Sequence, residues 1–369
     1  MGSDKSAGQT LQEALAVVRQ KIDGIDGTLL DLLNQRAACA REVGEIKARF
    51  GDDGFIYRPE REAQVLRRLQ ELNQGPLPDE TITRLFREVM SACLALEQPI
   101  GVAFLGPLGT FSESAAVKHF GHAVRLLPQS TIDDVFRDVE AGHADYAVVP
   151  VENSTEGAVG RTMDLLLGTS LTICGEVVVR IHQNLLSRST DLSQISQVVS
   201  HAQSLAQCHE WLNRHLPDVP RMPVASNAEA ARLAAENAAW AAIAGEAAAE
   251  RYQLPHLASN IEDEPNNTTR FIVLGRFAAG PSGQDKTSLI LSTPNRTGAL
   301  QSLLAPLAQA GVSMTRLESR PARHALWEYV FFVDIEGHVD EEPVKSALQK
   351  LAAEAAYLKV LGSYPGAVY

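Results

Sequence analysis

Between Leu11 and Ile46 apolar side chains return every three or four residues. Leu11, Leu15, Val18, Ile22, Ile25, Leu29 and Leu32 form a seam that continues through Arg36, Cys39 and Val43 to Ile46. That repeat is one face of a helix. No proline interrupts it, and Gly24, Gly27 and Gly44 only weaken it. A helix of about 38 residues is ~57 Å long, more than a small globular domain spans. Its apolar seam therefore needs a partner, expected to be another subunit.

Gly51 to Gly54 breaks the pattern. A second helix is predicted from Pro59 to Leu72, a turn at Gly75 to Pro78, and a third helix from Asp79 to about Glu97. After residue 100 the pattern changes. Short apolar runs, such as Val102 to Leu105 and Tyr146 to Val149, alternate with amphipathic helices, the signature of an α/β fold. The alanine-rich stretch from Ala225 to Tyr252 parses as helix, strand (Trp240 to Ala244) and helix, opened by a Ser226–Glu229 capping box. The last segment reads as strand Ser288 to Ser292, helix Gly298 to Gln309, and strands Val312 to Ser319 and Trp327 to Ile335. Helix Glu341 to Ala355 and strand Leu358 to Leu361 follow. That order, βαββαβ, is ferredoxin-like. The expected architecture is thus three units over 1–99, 100–285 and 286–369.

Composition narrows the function. The 369 residues carry 45 acidic and 33 basic side chains, a net charge of −12, with no basic cluster interleaved with aromatics. Nucleic-acid binding is therefore not expected. No apolar run approaches the ~20 residues of a membrane span. The first ten residues lack a signal-peptide core. Gly2 with Ser6 matches only the loose myristoylation pattern, and Asn153-Ser154-Thr155 is a sequon without a secretion signal. Four cysteines, Cys39, Cys93, Cys174 and Cys208, make neither a zinc pattern nor a disulfide framework, which suits a reducing cytoplasm.

Charges on the first helix's seam need partners or an anionic ligand. Arg36 and Lys47 lie 11 residues apart, on nearly one face and ~16 Å apart along the axis, so they can hold a small dianion between them. Arg19 lies ~25 Å from Arg36 and is rotated by ~100°, too far to join that site unless it comes from an antiparallel partner. The second helix adds Arg58, Arg61 and Glu62.

These residues resemble the all-helical chorismate mutases, interlocked dimers in which two arginines clamp the substrate's carboxylates, one lent by the other subunit. The resemblance implies a site of Arg19, Arg36, Lys47, Arg58, Arg61, Glu62, Cys93 and Glu97. In it Lys47 donates to the breaking ether oxygen and Glu62 accepts from the substrate hydroxyl. The reaction is pericyclic and implies no cofactor or metal. Catalysis rests on orientation and charge stabilisation. Glu97 stands where a glutamine can occur. A glutamate donates a hydrogen bond only when protonated, so mutase activity is expected to fall as pH rises.

Three central segments carry chemistry at predicted strand boundaries. Gly106-Pro107-Leu108-Gly109-Thr110-Phe111-Ser112 is a glycine-rich turn without a P-loop lysine or dinucleotide spacing. Val149 to Gly157 places Glu152, Asn153 and Ser154 where a strand is expected to hand over to a helix, a location that favours anions. Asn153 and Glu156 could equally form only a capping box. Asn267-Thr268-Thr269-Arg270-Phe271 precedes the apolar Ile272 to Leu274. His201, in Ser200-His201-Ala202-Gln203, reads as a capping or packing histidine more readily than as a base.

Together, in this order, they resemble prephenate dehydratases, whose fold has two α/β lobes around a cleft, like periplasmic binding proteins. The resemblance implies that Thr269 serves the leaving hydroxyl and that Arg270 pairs with a carboxylate. Thr110, Ser112, Glu152, Asn153, Ser154, Gln203 and Phe271 would complete the cleft. A threonine is a poor acid near neutral pH, so positioning is the expected role of Thr269. Finally, Asn295-Arg296-Thr297-Gly298-Ala299-Leu300 and Glu318-Ser319-Arg320-Pro321 resemble the phenylalanine-binding segments of ACT regulatory domains. That implies an effector site of Asn295, Gly298, Ala299, Leu300, Glu318, Ser319, Arg320 and Pro321 between paired domains. The combined expectation is a multi-domain chain: an intertwined all-α mutase, a two-lobed α/β dehydratase and a ferredoxin-like ACT domain. It would be a homodimer or dimer of dimers that turns chorismate into prephenate and then phenylpyruvate, inhibited by L-phenylalanine. A preference for arogenate, or a non-catalytic ligand sensor, are the alternatives.

Overall fold

In the computed structural model the described residues are 4–51, 57–293, 297–321 and 329–367, with side chains described from residue 11 onward. Helix α1 runs Asp4–Phe50, α2 Pro59–Leu72 and α3 Asp79–Glu97. At 47 residues α1 is ~70 Å long. It extends beyond the expected bounds at both ends. Leu15, Ile22, Leu29 and Val43 of its seam are between 44% and 51% exposed, so one chain leaves this face uncovered. The other two helices are anchored. Pro59, Ala63 and Leu66 of α2 and Met90 and Cys93 of α3 are buried.

The central unit opens with β1 (Gly101–Leu105), α4 (Phe111–Phe120), β2 (Arg125–Gln129), α5 (Ile132–Glu140) and β3 (Tyr146–Asn153). It continues with β4 (Gly157–Ala158), α6 (Gly160–Gly168) and β5 (Thr172–Arg180). A second lobe follows: β6 (Asn184–Leu186), β7 (Gln197–His201), α7 (Ala202–Gln207), α8 (His209–His215) and β8 (Arg221–Val224). Its remaining elements are α9 (Asn227–Glu236), β9 (Trp240–Ala244), α10 (Glu246–Tyr252) and β10 (His256–Ala258). The chain then returns to the first lobe as β11 (Thr268–Gly275), inserted between β3 and β5, so the sheet order is β2-β1-β3-β11-β5 with β4 beside β3. The second lobe's order is β10-β6-β9-β7-β8. Two chain crossings therefore join the lobes, and the ends of their strands face a common cleft.

The segment after β3 corrects the sequence reading. The strand does not pass into a helix but turns back as a hairpin, pairing Glu152 with Ala158 and Asn153 with Gly157. Asn153 causes this locally. Its Oδ1 accepts from the Thr155 and Glu156 amides at 3.1 and 3.2 Å, the geometry of an Asx turn. Those amides are consumed within the turn and are not free for an anion.

The C-terminal unit comprises β12 (Asp285–Ser292), α11 (Ala299–Gln309), β13 (Met314–Pro321), β14 (Tyr329–Glu336), α12 (Glu342–Glu354) and β15 (Tyr357–Pro365). The sheet order β13-β14-β12-β15 is that of a ferredoxin-like fold. One sheet face buries Leu289, Leu291, Val333 and Ile335 against Leu303, Leu307, Val344 and Leu351 of the two helices. The opposite face joins the central unit: Ile290, Val330, Phe332, Leu361 and Tyr364 share one core with Val149, Val151, Met163, Ile272 and Leu274. The approach is close enough that a Cβ at Gly362 would collide with the Ile173 carbonyl oxygen. The two units thus share one apolar core within one chain.

Candidate functional site

A cleft of about 330 Å³ separates the lobes of the central unit. That is adequate for a small ligand, since such sites occupy ~300–1,000 Å³. Thr110, Phe111 and Ser112 reach it from the start of α4, and Asn153, Thr269 and Phe271 from the strand ends of the first lobe. Gln183, His201, Gln203, Ser204, Ser226 and Asn227 line the other side. Among the described residues, neither lysine nor arginine lines it. A carboxylate bound here meets hydroxyls, amides, His201 and the N-terminal ends of α4 and α9 rather than a guanidinium.

At its floor Asn153 and Thr269 are paired. They face each other across β3 and β11. Asn153 is buried, and its Nδ2 donates to Thr269 Oγ1 at 2.8 Å and to Asn267 Oδ1 at 2.8 Å. Because Thr269 Oγ1 accepts from Asn153, its own proton remains available for a ligand in the cleft. His201 caps α7, its Nδ1 accepting from the Gln203 amide at 3.3 Å, in keeping with the capping role read from the sequence. Ser226 Oγ accepts from the Glu229 amide at 3.0 Å as expected. Gln183 carried no signal in the sequence. Its Nε2 donates to Ser204 at 3.0 Å and Gln207 at 3.2 Å, while its Oε1 is buried with no hydrogen-bond partner among the described residues and can accept from a ligand.

Three expected members of the cleft lie elsewhere. Arg270 and Glu152 point to the opposite face of the sheet, because side chains alternate along a strand and Thr269 and Asn153 take the cleft side. Arg270 donates to Glu176 at 2.9 Å, Asp334 at 2.6 Å and Tyr364 at 2.9 Å. Burial alone would lower its pKa, but Tyr364, Asp334 and Glu176 raise it above its ordinary value, so its charge is fully committed within the protein. Glu152 accepts from Arg316 at 2.8 Å. Ser154 is exposed and exchanges two 2.9 Å hydrogen bonds with the Thr268 backbone, closing the end of the β3–β11 pairing.

On the helices the structure brings together Lys47 and Glu97, Nζ to Oε2 3.5 Å. Cys93 is buried one turn before Glu97, Arg36 is half-buried, and Arg19, Arg58 and Arg61 are exposed. Glu62 does not join them. It pairs with Arg87 of α3 at 3.2 Å and lines a small cavity with Tyr57, His119, Glu176 and Gly366, at the junction of all three units. The buried face of α2, carrying Pro59, Ala63 and Leu66, turns Glu62 toward the central unit. Burial pushes its carboxyl above the usual range against the opposing pull of Arg87. Beside it, burial and Arg87 hold His119 down to about 3.

In the C-terminal unit Gly298 caps α11 with φ 76°, a backbone conformation suited to glycine. It is followed by Ala299, buried, and Leu300, half-buried. Glu318, Ser319, Arg320 and Pro321 lie on the edge strand β13, with Arg320 paired to Asp164 at 3.2 Å. Asn295 falls outside the described residues.

Three family models match consecutive segments: chorismate mutase type II over residues 18–98, prephenate dehydratase over 102–279 and the ACT domain over 287–353. A bifunctional chorismate mutase/prephenate dehydratase from Neisseria gonorrhoeae is 57% identical over 98% of this chain and 99% of its own length. The solved prephenate dehydratase from Arthrobacter aurescens in complex with L-Phe is 36% identical with TM-score 0.66, covering 72% of this chain and 89% of that one. GqqA, described as a quorum quenching acylase, reaches 30% identity and TM-score 0.66 over 72% of this chain and 98% of its own. One architecture therefore serves more than one chemistry, and the site must decide between them.

Proposed function

The chain belongs to the bifunctional chorismate mutase/prephenate dehydratases, and from that premise we propose how its residues divide the work. The enzyme is an isomerase and a lyase of phenylalanine biosynthesis, converting chorismate to prephenate and prephenate to phenylpyruvate under control by L-phenylalanine. We assign the mutase to residues 1–99, the dehydratase to 100–285 and the ACT domain to 286–369, although β12 already begins at Asp285.

In the dehydratase step prephenate loses CO₂ and its ring hydroxyl, and aromatisation supplies the driving force. The protein must seat two carboxylates and help the hydroxyl leave. The Asn153–Thr269 hydrogen bond carries this reading: it occupies the threonine oxygen as acceptor and aims its proton at the leaving group. The carboxylates fall to Ser112, Ser204, Asn227, Gln203 and the helix N-termini, and Phe271 faces the ring. Gln183 Oε1 supplies an acceptor for a substrate donor.

In the mutase step Lys47 donates to the breaking ether oxygen, and Glu97, 3.5 Å from it, completes that end of the site. Arg36 holds one carboxylate and the partner subunit supplies Arg19. The exposed apolar seam of α1 supports a homodimer in which that seam is covered by its counterpart. No described helix is long and apolar enough to cross a membrane, and we place the enzyme in the cytoplasm.

A coupled assay from chorismate to phenylpyruvate, with and without L-phenylalanine, tests the scheme. Turnover of both steps with inhibition by phenylalanine is expected. Faster turnover of arogenate than of prephenate would reassign the second substrate.

A further inference from the structure

The register between β3 and β11 builds a two-sided rung. Asn153 stands opposite Thr269, and one residue along Glu152 stands opposite Arg270. The first pair faces the cleft, and the second faces the C-terminal sheet. All four strands of that sheet bear on the second pair or on its partners. Arg316 of β13 donates to Glu152 at 2.8 Å, Asp334 of β14 accepts from Arg270 at 2.6 Å, and Tyr364 of β15 accepts from Arg270 at 2.9 Å. Ser288 of β12 donates to the other Asp334 oxygen at 2.5 Å and bonds Tyr364 at 2.7 Å.

The largely buried members of this network, Arg270, Asp334 and Arg316, are costly if their only task is adhesion, whereas the Glu152 side chain stays 38% exposed. Desolvating charges often outweighs their attraction, and apolar residues of similar volume hold an interface as well or better. The surrounding interface is indeed apolar, with Ile290, Phe332 and Leu361 packed on Val151 and Ile272. The charges are concentrated behind the two residues that form the hydrogen bond at the cleft floor. The Arg316 fork is also only partly used among the described residues: its Nη2 is buried with no hydrogen-bond partner among them, beside a cavity of about 20 Å³ lined by Arg270, Ser288 and Asp334. Arg316 shares β13 with the Glu318 to Pro321 segment, and Arg320 on the same strand reaches Asp164 of α6. A displacement of β13 therefore acts directly on Glu152.

We propose that Glu152 and Arg270 are positioning residues for the dehydratase reaction: gripped by Arg316 and Asp334, they set the Asn153–Thr269 spacing, and phenylalanine at β13 acts on the reaction through them. This rests on the reading of Thr269 as the hydroxyl that serves the leaving group. A loaded effector site need then neither overlap the cleft nor block its mouth. It alters the rung from behind, and small misplacements of a reacting group cost one to two orders of magnitude in rate.

The test uses the full chain and the variants Glu152→Gln, Arg316→Gln and their double, with Arg316→Lys as the conservative control. Dehydratase kcat and KM, the half-inhibitory phenylalanine concentration and mutase kcat are measured on the same preparations. Each single variant is expected to lower dehydratase kcat about tenfold with KM within about twofold. Each should also raise the half-inhibitory phenylalanine concentration at least about fivefold and leave mutase kcat unchanged. The double should be no worse than either single, because both break one contact, and Arg316→Lys should recover much of the loss. Asp334→Asn, which loosens the rung from β14, must give the same split if the Arg316 variants do not fold. Singles with wild-type kcat and phenylalanine response, or a double that multiplies the single losses, would overturn the proposal. A wild-type chain inactive on prephenate would instead remove the functional reading on which it stands.

Discussion

Asn153 Nδ2 donates to Thr269 Oγ1 across 2.8 Å, joining two residues 116 positions apart in the chain. The direction of this bond gives it chemical meaning. An amide N–H can only donate, so the threonine proton is left for another acceptor. Replacing the amide by a carboxylate reverses the bond. Asn153→Asp should capture the Thr269 proton and place a charge beside the Thr268 carbonyl, which lies 3.3 Å from Nδ2. Dehydratase kcat is expected to fall ~10²–10³-fold in both Asn153→Asp and Thr269→Ala, the scale for losing one donor to a developing charge. Mutase turnover of the same samples should not change. Equal loss of both activities would show that the two sites are not independent.

The Lys47–Glu97 pair predicts how the mutase responds to a donor at position 97. A carboxylate next to Lys47 accepts hydrogen bonds, whereas a glutamine can donate one to the substrate. Mutase kcat/KM is expected to rise in Glu97→Gln, by up to about tenfold for one added donor to a developing charge. A kcat/KM lowered in Glu97→Gln would show that the carboxylate serves as an acceptor.

The dimeric mutase site predicts complementation. Arg19→Ala and Lys47→Ala should each be inactive as mutases. If Arg19 crosses to the partner's site, a mixed dimer carries one doubly damaged site and one intact site. Co-refolding equal amounts should then restore about a quarter of wild-type mutase activity, from half of the dimers each with half of their sites. No recovery would place Arg19 in its own chain's site or outside any site.

His119 predicts acid sensitivity of the fold. Its Nε2 is 3.1 Å from the Tyr57 hydroxyl, and burial together with Arg87 lowers its pKa from 6.5 to about 3. The unfolded chain therefore binds a proton that the folded chain refuses between those values. Stability present above pH 6.5 is lost as pH falls toward 3, at up to about 1.4 kcal/mol per pH unit. The ring is only half-buried, so on the order of 1–2 kcal/mol is expected at pH 5. Glu62 acts in the opposite sense. Its raised carboxyl pKa means that acidification stabilises the fold, while stability is lost as pH rises through that value. His119→Gln should flatten the acid limb of Tm against pH relative to wild type. Parallel curves from pH 7 to 4.5 would refute the assignment.

The helices and the C-terminal topology were legible because each rests on local signals. Pro59 starts α2 and Leu72 ends it as the 3.6-residue pattern implies, and the strand Trp240–Ala244 lies where the alanine-rich stretch was divided. The same local reading failed after β3. The sequence there suits either a helix cap or a hairpin, and Asn153 can serve both; the long-range pairing of Asn153 with Thr269 accompanies the hairpin. The Arg87 partner of Glu62 was hidden from the sequence for a related reason. The neighbours of Glu62 on α2 bury against a unit that no helical period in the first hundred residues can reveal.

The sequence by itself determined the order of the three units, their element types and the residue chemistry at the cleft, because periodicity, caps and turn residues act over a few positions. Which face each side chain serves was decided only in three dimensions. Asn153 and Thr269 enter the cleft while their neighbours Glu152 and Arg270 leave it for Arg316 and Asp334. A strand's alternation separates adjacent residues onto opposite faces, but the packing of a second sheet determines which face is buried against protein and which is left open to a ligand.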